Sequence, residues 1–349
     1  MTASTTSRAT PLRIGVLGAA SITPMALLRP ARAIGTADVV IAAVAARDVH
    51  RARRFAASHN IATVCDDYAA LLARDDVDAI YNPLPNSHHA WWTIKALEAG
   101  KHVLCEKPLA ANADDARAMV AAATRHGRIL MEAFHWRHHP LANAALEAIA
   151  GLGRRRRVRA TFIVPFFIPG DIRYRPELAG GALMDTGCYA VHIARTFAGL
   201  VGKSDDDHIV VDHADARFTR RTGGVDRWFR ARFHCASEPQ CSIEVEAGLC
   251  SANIFACRAR VDGDDGFVDV WNPVAPQFGH LLRINTPRRQ WSGRIAGEAT
   301  YTHQLRAFLS SCATGQAPIT DGHDGIATMA LIDTLSDAAG LAPRRSWTG

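Results

Sequence analysis

An alternation of short apolar segments with helical segments runs from Leu12 to Ala133 and limits what this chain can fold into. Strands that alternate with helices form a parallel sheet with helices on both faces, because parallel neighbours need a crossover connection. The pattern therefore predicts an α/β domain with a doubly wound parallel sheet. Strands are predicted at residues 13–17, 39–45, 62–65, 79–81, 102–105 and 129–131, and helices at 48–57, 89–99 and 112–125.

After residue 134 the sequence pattern changes to consecutive β-rich segments joined by residues that favour turns. Such a pattern is typical of a mostly antiparallel sheet. At 349 residues the chain exceeds what one hydrophobic core usually supports, so we expect two domains. We predict a disordered tail at 1–11, the parallel-sheet domain at 12–133, and an α+β domain at 134–349. The β segments are 158–167, 228–235, 241–247 and 252–261, and two helices, 300–313 and 323–340, end the chain.

Composition narrows the class of protein. Apolar residues make up 48% and charged residues 21%, as in water-soluble globular proteins, and no apolar run approaches membrane-spanning length. The eight cysteines include no Cys-x-x-Cys pair, which favours free thiols in a reducing cytoplasm. The net charge is +6, and the run 154–157 of four arginines is predicted to be a solvated turn, with an interaction with acidic groups as the alternative. We expect no nucleic acid and no membrane partner.

The first strand leads into a turn that suits a dinucleotide. Gly18 holds the first position of the usual three-glycine fingerprint, while Ala20 and Thr23 stand at the second and third. Such a turn brings a pyrophosphate to backbone N–H groups at a helix N-terminus. Ser21 adds a hydroxyl donor, and Ile22 continues the turn into the helix. We predict that Gly18, Ala20, Ser21 and Ile22 contact the cofactor.

The end of the second strand indicates which dinucleotide binds. An acid that would bind the ribose 2′-hydroxyl is expected near Ala46, but Arg47 follows instead. Arg47, helped by Arg51 one helical turn later, suits a 2′-phosphate and favours NADP, with NAD possible. In the alternative, Arg47 caps a surface turn while Asp48 begins the helix.

Two further loops leave the same carboxyl edge of the sheet, where ligands collect. The loop after the fourth strand carries Pro85, Asn86 and His89, which we predict to line the cofactor site. Glu106-Lys107-Pro108 follows the fifth strand, and the proline keeps Lys107 extended rather than helical. On position alone, Lys107 is either a site residue or an ordinary loop lysine.

The second domain contains one strong local signal, the segment 180–192. It opens with Gly180-Gly181, which permit close approach of another backbone or of a ligand. If the segment is helical, Asp185 and Tyr189 share a face and can form an orienting and proton-transferring pair. The alternative is a capping aspartate and a half-buried tyrosine.

The sequence offers little support for a metal site, a hydrolase or a kinase. His135, His138 and His139 have a spacing compatible with a helical metal site, but only Glu132 stands beside them, so no metal is predicted. The chain lacks a Gly-x-Ser-x-Gly elbow and a phosphate-binding P-loop, which disfavours hydrolases and kinases.

Taken together, these segments resemble the Gfo/Idh/MocA oxidoreductases over nearly the whole chain after the tail. The resemblance is carried by the Gly18 turn, Leu84-Pro85-Asn86-x-x-His89, the run 96–110 that contains Glu106-Lys107-Pro108, and Gly180-Gly181-x-x-x-Asp185-x-Gly187-x-Tyr189. Because Tyr189 stands where inositol dehydrogenases carry histidine, the sequence is most similar to the branch of dihydrodiol dehydrogenase, D-xylose dehydrogenase and glucose-fructose oxidoreductase.

The resemblance implies roles for individual residues. Lys107 and Tyr189 would flank the reacting carbon, and Asp185 would orient the substrate hydroxyls. A cis Lys107–Pro108 bond would also be in keeping with the family. A Lys107 ammonium would be expected to lower the pKa of the tyrosine, which is otherwise near ~10. Glu106 and Arg137 fall at family positions near the cofactor, and Arg173 and Tyr174 fall in a segment that borders the substrate. Two turn glycines of the family are missing, which puts cofactor affinity in doubt but not the fold.

We therefore expect an NADP-preferring enzyme that transfers hydride between nicotinamide and an aldose or a cyclic vicinal diol. Arg173 and Arg175 leave acidic sugars open. The alternatives are a nucleotide-binding sensor or scaffold without turnover and an NAD-dependent glycosidase. We also expect a homo-oligomer, a dimer or a tetramer, formed through the open sheet of the second domain.

Overall fold

The structure is a computed structural model that describes residues 10–166, 168, 170–200, 208–218, 224–249 and 255–349. Most of the predicted tail, residues 1–9, and Cys250 lie outside the described residues. Among the helices described, none is long and apolar enough to cross a membrane.

The first domain is a six-stranded parallel sheet, as predicted. Its strand order is β3-β2-β1-β4-β5-β6, so the chain changes direction across the sheet between β1 and β4. In such sheets the crevice beyond the carboxyl ends of the strands at this switch point is the usual ligand site. The strands are β1 Leu12–Leu17, β2 Val39–Ala45, β3 Thr63–Cys65, β4 Ala79–Asn82, β5 His102–Cys105 and β6 Leu130–Glu132.

The helices of this domain begin and end at residues that stabilise their termini. Asp48 caps one helix by accepting bonds from the backbone N–H groups of His50 and Arg51, and Asn112 caps another. Each such cap contributes about 1 kcal/mol. The helices are α1 Arg29–Ile34, which continues a π-helical segment Pro24–Leu28, α2 Val49–His59, α3 Tyr68–Leu72, α4 His89–Glu98 and α5 Ala113–His126.

The second domain contains an eight-stranded sheet with the order β14-β13-β12-β11-β7-β10-β9-β8. Only β7 and β10 pair in parallel; all other neighbouring strands in the described part of the sheet are antiparallel. The mostly antiparallel prediction is therefore confirmed. The strands are β7 Arg155–Ile163, β8 Ile209–Phe218, β9 Asp226–Cys235, β10 Ser242–Gly248, β11 Ala256–Gly263, β12 Gly266–Trp271, β13 Leu281–Asn285 and β14 Gln290–Gly293.

The arginine run corrects one expectation from the sequence. Three of its four members lie inside β7, so the prediction of a solvated turn is wrong for them. Arg157 pairs with Glu244 of β10 at 2.6 Å, and Arg156 pairs with Asp264. The acidic partners of the run thus include neighbouring parts of the same sheet.

The remaining helices join the two domains. The helix α7, Cys188–Phe197, follows a π-helical segment Leu183–Gly187 and packs on β7 and β10. The last two helices return to the first domain, where α8 packs against α1 and α9 against α5. The others are α6 Pro140–Ala150, α8 Thr300–Thr314 and α9 Gly322–Ala338.

Candidate active site

A cleft at the carboxyl edge of the parallel sheet contains two adjoining cavities. The cofactor cavity, of about 600 Å³, lies over the turn after β1, and the catalytic cavity, of about 340 Å³, lies between the two domains. Ile22, residues 83–85, Ile172 and Arg173 line both cavities, so the two form one continuous cleft.

The turn after β1 has the geometry that a pyrophosphate site requires. Gly18 has a φ of +87°, and a side chain there would meet Leu84 at 3.1 Å. Glycine is the residue that adopts this backbone conformation without strain. Ala20, Ser21 and Ile22 line the cavity beside it, as predicted from the sequence. The residues present therefore fit a dinucleotide whose phosphates lie against this backbone.

Two arginines, Arg47 and Arg51, line the cofactor cavity. Arg51 donates a 2.8 Å hydrogen bond to the carbonyl oxygen of Ala19, which fixes its guanidinium beside the turn. Arg47 also lines the cavity and makes no ion pair with any residue that the structure describes. The neighbouring carboxylate of Asp48 is engaged as the cap of α2. Asp48 thus begins the helix while Arg47 stays free for a phosphate.

An aromatic layer supports one wall of this cavity. His88 lines the cavity and stacks on Trp347, with ring centroids 5.0 Å apart and an interplanar angle of 8°. Trp347 belongs to the C-terminal strap, residues 341–349, which crosses the first domain and donates a backbone hydrogen bond to Ser87. Arg344 ties the same strap to the carbonyl oxygen of Ala111. No sequence pattern predicted this strap, because its residues follow the last periodic helix.

Lys107 extends from the carboxyl end of β5 into the catalytic cavity, and its bond to Pro108 is cis. Its Nζ donates to the carboxylate of Asp185 at 3.0 Å and to the Asp185 carbonyl oxygen at 2.9 Å. Burial alone would lower the pKa of Lys107, but the Asp185 carboxylate, together with other nearby groups such as Glu106, raises the pKa above its usual value. Lys107 is therefore a buried ammonium anchored across the domain boundary.

Asp185 is the meeting point of two cations. Its second carboxylate oxygen accepts a 2.9 Å hydrogen bond from Nε of Arg173. Burial would raise the pKa of Asp185, but Lys107 and Arg173 hold it below its usual value. Gly180 permits this arrangement, since a side chain there would lie 2.4 Å from the Arg173 carbonyl oxygen. Gly181 donates a backbone bond to that same oxygen at 2.7 Å.

Tyr189 lines the catalytic cavity at the start of α7 and is 5% exposed. The Lys107 ammonium lies 4.9 Å from the centre of its ring. The expectation that Lys107 lowers the pKa of this tyrosine is wrong here, because burial raises the pKa well above its usual value. The nearby Tyr301, Glu106 and Asp185 act in the same direction, and the ammonium is already paired with Asp185.

Glu106 completes the floor where the two cavities meet. It accepts a 2.6 Å hydrogen bond from the hydroxyl of Tyr81 in β4. Burial raises its pKa, although that hydrogen bond and the Lys107 charge oppose the shift. Glu106 and Asn86 both line the catalytic cavity, and Asn86 donates to the carbonyl oxygen of Ala179 at 2.9 Å across the domain boundary. Pro85 lines both cavities.

Three residues predicted for the site do not line either cavity. His89 is fully buried, with its two ring nitrogens 2.8 and 2.7 Å from the carbonyl oxygens of Pro108 and Leu84, so it fastens the two loops together. Arg137 donates to Asn143 at 3.1 Å, and the Tyr174 hydroxyl donates to the Phe166 carbonyl oxygen. These three residues support the loops around the cleft.

Sequence reasoning missed other residues of the catalytic cavity. Phe162 and Phe166 line it from β7 and the segment that follows, and Tyr301 lines it from the start of α8. Aromatic residues in strands are ordinary core residues, so no local pattern distinguishes them. His135 was considered only as a metal ligand, but the structure places its Nε2 atom 2.9 Å from the Tyr189 hydroxyl.

The histidines at 135, 138 and 139 have different hydrogen-bond partners. His138 contacts the hydroxyl of Thr320 at 3.2 Å, and His139 accepts a hydrogen bond from the backbone of Leu141 as the cap of α6. No group of three potential metal ligands occurs within the described ranges.

The sequence matches two family models. Residues 12–134 match the oxidoreductase family with an NAD-binding Rossmann fold, and residues 144–269 match the Gfo/Idh/MocA C-terminal domain. The chain belongs to the Gfo/Idh/MocA oxidoreductase family. The predicted family and fold are confirmed, and so is the assignment as an enzyme that uses a nicotinamide dinucleotide.

Characterised relatives of this family member cover almost its whole length. It is 34% identical to D-xylose 1-dehydrogenase (NADP(+)) 2 of Haloferax volcanii, over 94% of this chain and 97% of the relative. It is 38% identical to dTDP-3,4-didehydro-2,6-dideoxy-alpha-D-glucose 3-reductase of Actinomadura kijaniata, over 95% of this chain and 97% of the relative.

Solved structures agree with these relationships. KijD10, a 3-ketoreductase from Actinomadura kijaniata solved with NADP and TDP-benzene, has a TM-score of 0.83 at 28% identity. That match covers 97% of this chain and 100% of KijD10. The aldose-aldose oxidoreductase of Caulobacter crescentus also gives 0.83, at 25% identity, over 95% and 98% of the two chains. The predicted function, NADP-linked oxidoreduction of a sugar or diol, agrees with these relatives.

Proposed function

We propose that this protein is an NADP-dependent oxidoreductase that transfers hydride between nicotinamide and a hydroxyl-bearing carbon of a sugar or cyclic vicinal diol. The observation that carries the proposal is a single cleft. Arg47, which has no ion-pair partner within the described ranges, lies at one end, and Lys107, Asp185 and Tyr189 lie at the other. Arg47 supplies the cation for a 2′-phosphate, and the buried group surrounds a polar substrate. The relative named D-xylose 1-dehydrogenase (NADP(+)) 2 has, by its name, an activity of the same class.

The residues of the catalytic cavity have separate roles in the proposed reaction. When bound, the nicotinamide accepts or supplies the hydride. Tyr189 exchanges a proton with the substrate oxygen, since its hydroxyl is an uncharged acid–base group of the cavity and its ring lies beside the Lys107 ammonium. Lys107 places positive charge beside the oxygen on which negative charge develops. Asp185 holds Lys107 and Arg173 in place and accepts hydrogen bonds from further substrate hydroxyls.

A substrate panel tests the proposal most simply. D-xylose, D-glucose, myo-inositol, trans-1,2-cyclohexanediol and dTDP-glucose are each incubated with NADP⁺ or NAD⁺, and the absorbance of reduced nicotinamide is followed. We expect turnover of an aldose or of the diol, faster with NADP⁺. No turnover with any of them would contradict the proposed substrate class, and a preference for NAD⁺ would remove the role proposed for Arg47.

Two variants test the catalytic assignment on the fastest substrate of that panel. Tyr189→Phe and Lys107→Ala each remove one group from the cavity. We expect each to lower kcat by about 10³-fold, the range of a lost acid–base or charge-stabilising group. Parent-like turnover by both variants would show that the chemistry lies elsewhere.

We also propose that the protein is a cytoplasmic homo-oligomer. Five buried cysteines are free thiols in the described residues, which suits a reducing compartment: Cys65, Cys105, Cys188, Cys235 and Cys257. The outer face of the second sheet carries cross-strand ion pairs, such as Arg258 with Asp269 at 2.6 Å, and leaves Trp271 exposed. Light scattering coupled to gel filtration tests the assembly, and a monomer at micromolar concentration would contradict it.

A further inference from the structure

A buried histidine lies directly behind the catalytic tyrosine. His135 is 3% exposed, and its Nε2 atom lies 2.9 Å from the Tyr189 hydroxyl oxygen. Its other nitrogen, Nδ1, lies 2.8 Å from the hydroxyl of Thr300, which lies 3.3 Å from the side-chain oxygen of Gln277. The ring is held in this line by Tyr301, whose ring centroid is 4.0 Å away. Four side chains thus form a continuous hydrogen-bonded row leading away from the catalytic cavity.

The donors in this row can point in one direction throughout. If the Tyr189 hydroxyl donates to Nε2, then Nδ1–H donates to Thr300 and the Thr300 hydroxyl donates to Gln277. The Tyr189 oxygen then keeps a lone pair for the hydroxyl proton of an alcohol substrate. This first arrangement suits the substrate that is to be oxidised.

If each proton between Tyr189 and Thr300 moves by one position, a second arrangement results, in which Thr300 no longer donates to Gln277. Nε2–H now donates to the Tyr189 oxygen, and the Thr300 hydroxyl donates to Nδ1. The Tyr189 proton faces the cavity, where it can donate to a carbonyl oxygen. The tyrosine is a neutral phenol in both arrangements, and the second one suits the carbonyl product.

A neutral phenol matters because the surroundings oppose a phenolate. Burial raises the pKa of Tyr189 well above its usual value, and Lys107 is occupied by Asp185. Burial also lowers the pKa of His135 to about 3, with the Lys107 charge acting in the same direction. His135 is therefore a neutral imidazole with one donor and one acceptor nitrogen, as both arrangements require.

We propose that His135 and Thr300 carry the proton exchanged by Tyr189 between the substrate oxygen and solvent. In the oxidation, the C–H bond breaks and the hydride leaves with its two electrons to NADP⁺, while the O–H electron pair becomes the second bond of the carbonyl. The hydroxyl proton passes to Tyr189, the Tyr189 proton to Nε2, and the Nδ1 proton to the Thr300 oxygen. Because Thr300 is fully buried, its proton leaves to a water molecule that enters beside the half-buried Gln277. Reduction runs the same steps backwards.

The inference rests on the proposed function and extends it, since it assigns a route to the proton that the hydride transfer releases. His135 and Thr300 act through Tyr189, so they are positioning residues for the reaction. Lys107 offers no equal route, because the hydrogen bonds that its ammonium donates to described residues both go to Asp185.

A matched pair of variants at Thr300 tests the route with the fastest panel substrate. Thr300→Val keeps the shape of the side chain and removes the hydroxyl, whereas Thr300→Ser keeps the hydroxyl. We expect Thr300→Val to lower kcat by about tenfold with KM for NADP⁺ unchanged, and Thr300→Ser to stay within about twofold of the parent. The solvent deuterium isotope effect on kcat rises in Thr300→Val, because proton transfer then limits the rate. Equal losses in both variants, or none in Thr300→Val, would overturn the route.

A measurement without cofactor or substrate separates this inference from the proposed function. The ring nitrogens of ¹⁵N-histidine-labelled protein are observed by NMR, and His135→Gln identifies the His135 signals. At neutral pH we expect one protonated and one unprotonated nitrogen, with the Nε2 signal shifting in Tyr189→Phe. A doubly protonated ring, or an Nε2 signal that Tyr189→Phe leaves unchanged, would contradict the route whether or not the panel finds a substrate.

Discussion

The two ends of the cleft differ in the exposure and the pairing of their charged residues. At the cofactor end, Arg47 and Arg51 are exposed, and Arg47 has no carboxylate partner among the described residues. At the catalytic end, Lys107, Asp185 and Tyr189 are mostly buried, and the charges of Lys107 and Asp185 are paired with each other. An exposed cation can be replaced without disturbing the fold. A buried pair cannot, because removing one partner leaves the other charge uncompensated.

This difference indicates which substitutions should change both activity and stability. Affinity for the cofactor rests on single contacts at the rim of the first domain. The catalytic group instead joins β5 of one domain to the π-helical segment of the other. Substitutions at the catalytic end should therefore change chemistry and folding together, and substitutions at the cofactor end should change binding alone.

The largest effect is expected at Lys107. Lys107→Met removes the charge beside the substrate oxygen and should lower kcat/KM by about 10³-fold. Lys101 provides a matched control, since it precedes the same strand at the opposite edge and donates to the Arg74 carbonyl oxygen at 2.7 Å. Steady-state kinetics should show Lys101→Met close to the parent. Similar losses in both would show that only stability had changed.

The next effect concerns Asp185 and combines stability with chemistry. Asp185→Asn leaves Lys107 and Arg173 without their shared carboxylate and should lower the free energy of unfolding by about 3 kcal/mol at neutral pH. Asp171→Asn is the control, because it takes a partner from Arg173 but none from Lys107. Urea unfolding curves measure both, and an equal cost for the two variants would contradict the central position of Asp185.

The same comparison has a predictable pH dependence. The pKa of Asp185 in the folded protein lies below its usual 3.8, so its stabilising contribution is complete above that pH. The contribution is lost as the pH falls through the lowered folded value. The stability gap between the parent and Asp185→Asn should therefore shrink in acid below pH 3.8 and stay constant at higher pH.

A smaller effect is expected at the cofactor end. Arg47→Ala should raise the Kd for NADPH by roughly 10- to 100-fold, the strength of one hydrogen-bonded charge, and leave the Kd for NADH unchanged. Arg53→Ala is the matched control, because Arg53 is an exposed arginine of α2, the helix that follows Arg47, and lies outside the cavity. Fluorescence titration of bound nicotinamide measures both. An equal weakening of NADH by Arg47→Ala would exclude a contact with the 2′-phosphate.

The smallest effect belongs to the C-terminal strap. Trp347→Ala removes the ring that stacks on His88 and should weaken NADPH binding by about threefold, the value of one aromatic pair. Trp291→Ala, on β14 of the other domain, is the control. If titration gives the same Kd for parent and Trp347→Ala, the strap does not support the cofactor wall.

How much the sequence could predict also differs between the two ends. Gly18 and Arg47 were found because they belong to one short strand-turn-helix pattern, in which each position has a fixed relation to the cofactor. Lys107, Asp185 and Tyr189 were found partly by position and partly by resemblance. Their pairing depends on two domains meeting across 78 residues, which local spacing does not describe.

The misses have the same cause. His135 was weighed with its sequence neighbours as a metal ligand, whereas its partners, Tyr189 and Thr300, are 54 and 165 residues away. The edge strand β8 was missed because a bulge between Val211 and His213 shifts its alternation of half-buried and exposed residues. The pKa of Tyr189 depends on burial, which no sequence pattern measures.

A double-mutant cycle tests the division between the two ends most directly. The Kd for NADPH and kcat on the fastest panel substrate are measured for the parent, Arg47→Ala, Tyr189→Phe and the double variant. We expect Arg47→Ala to change the Kd alone, Tyr189→Phe to lower kcat by about 10³-fold with the Kd within about twofold, and the two effects to add. Full turnover by Tyr189→Phe, or a loss of NADPH affinity equal to that of Arg47→Ala, would contradict the account.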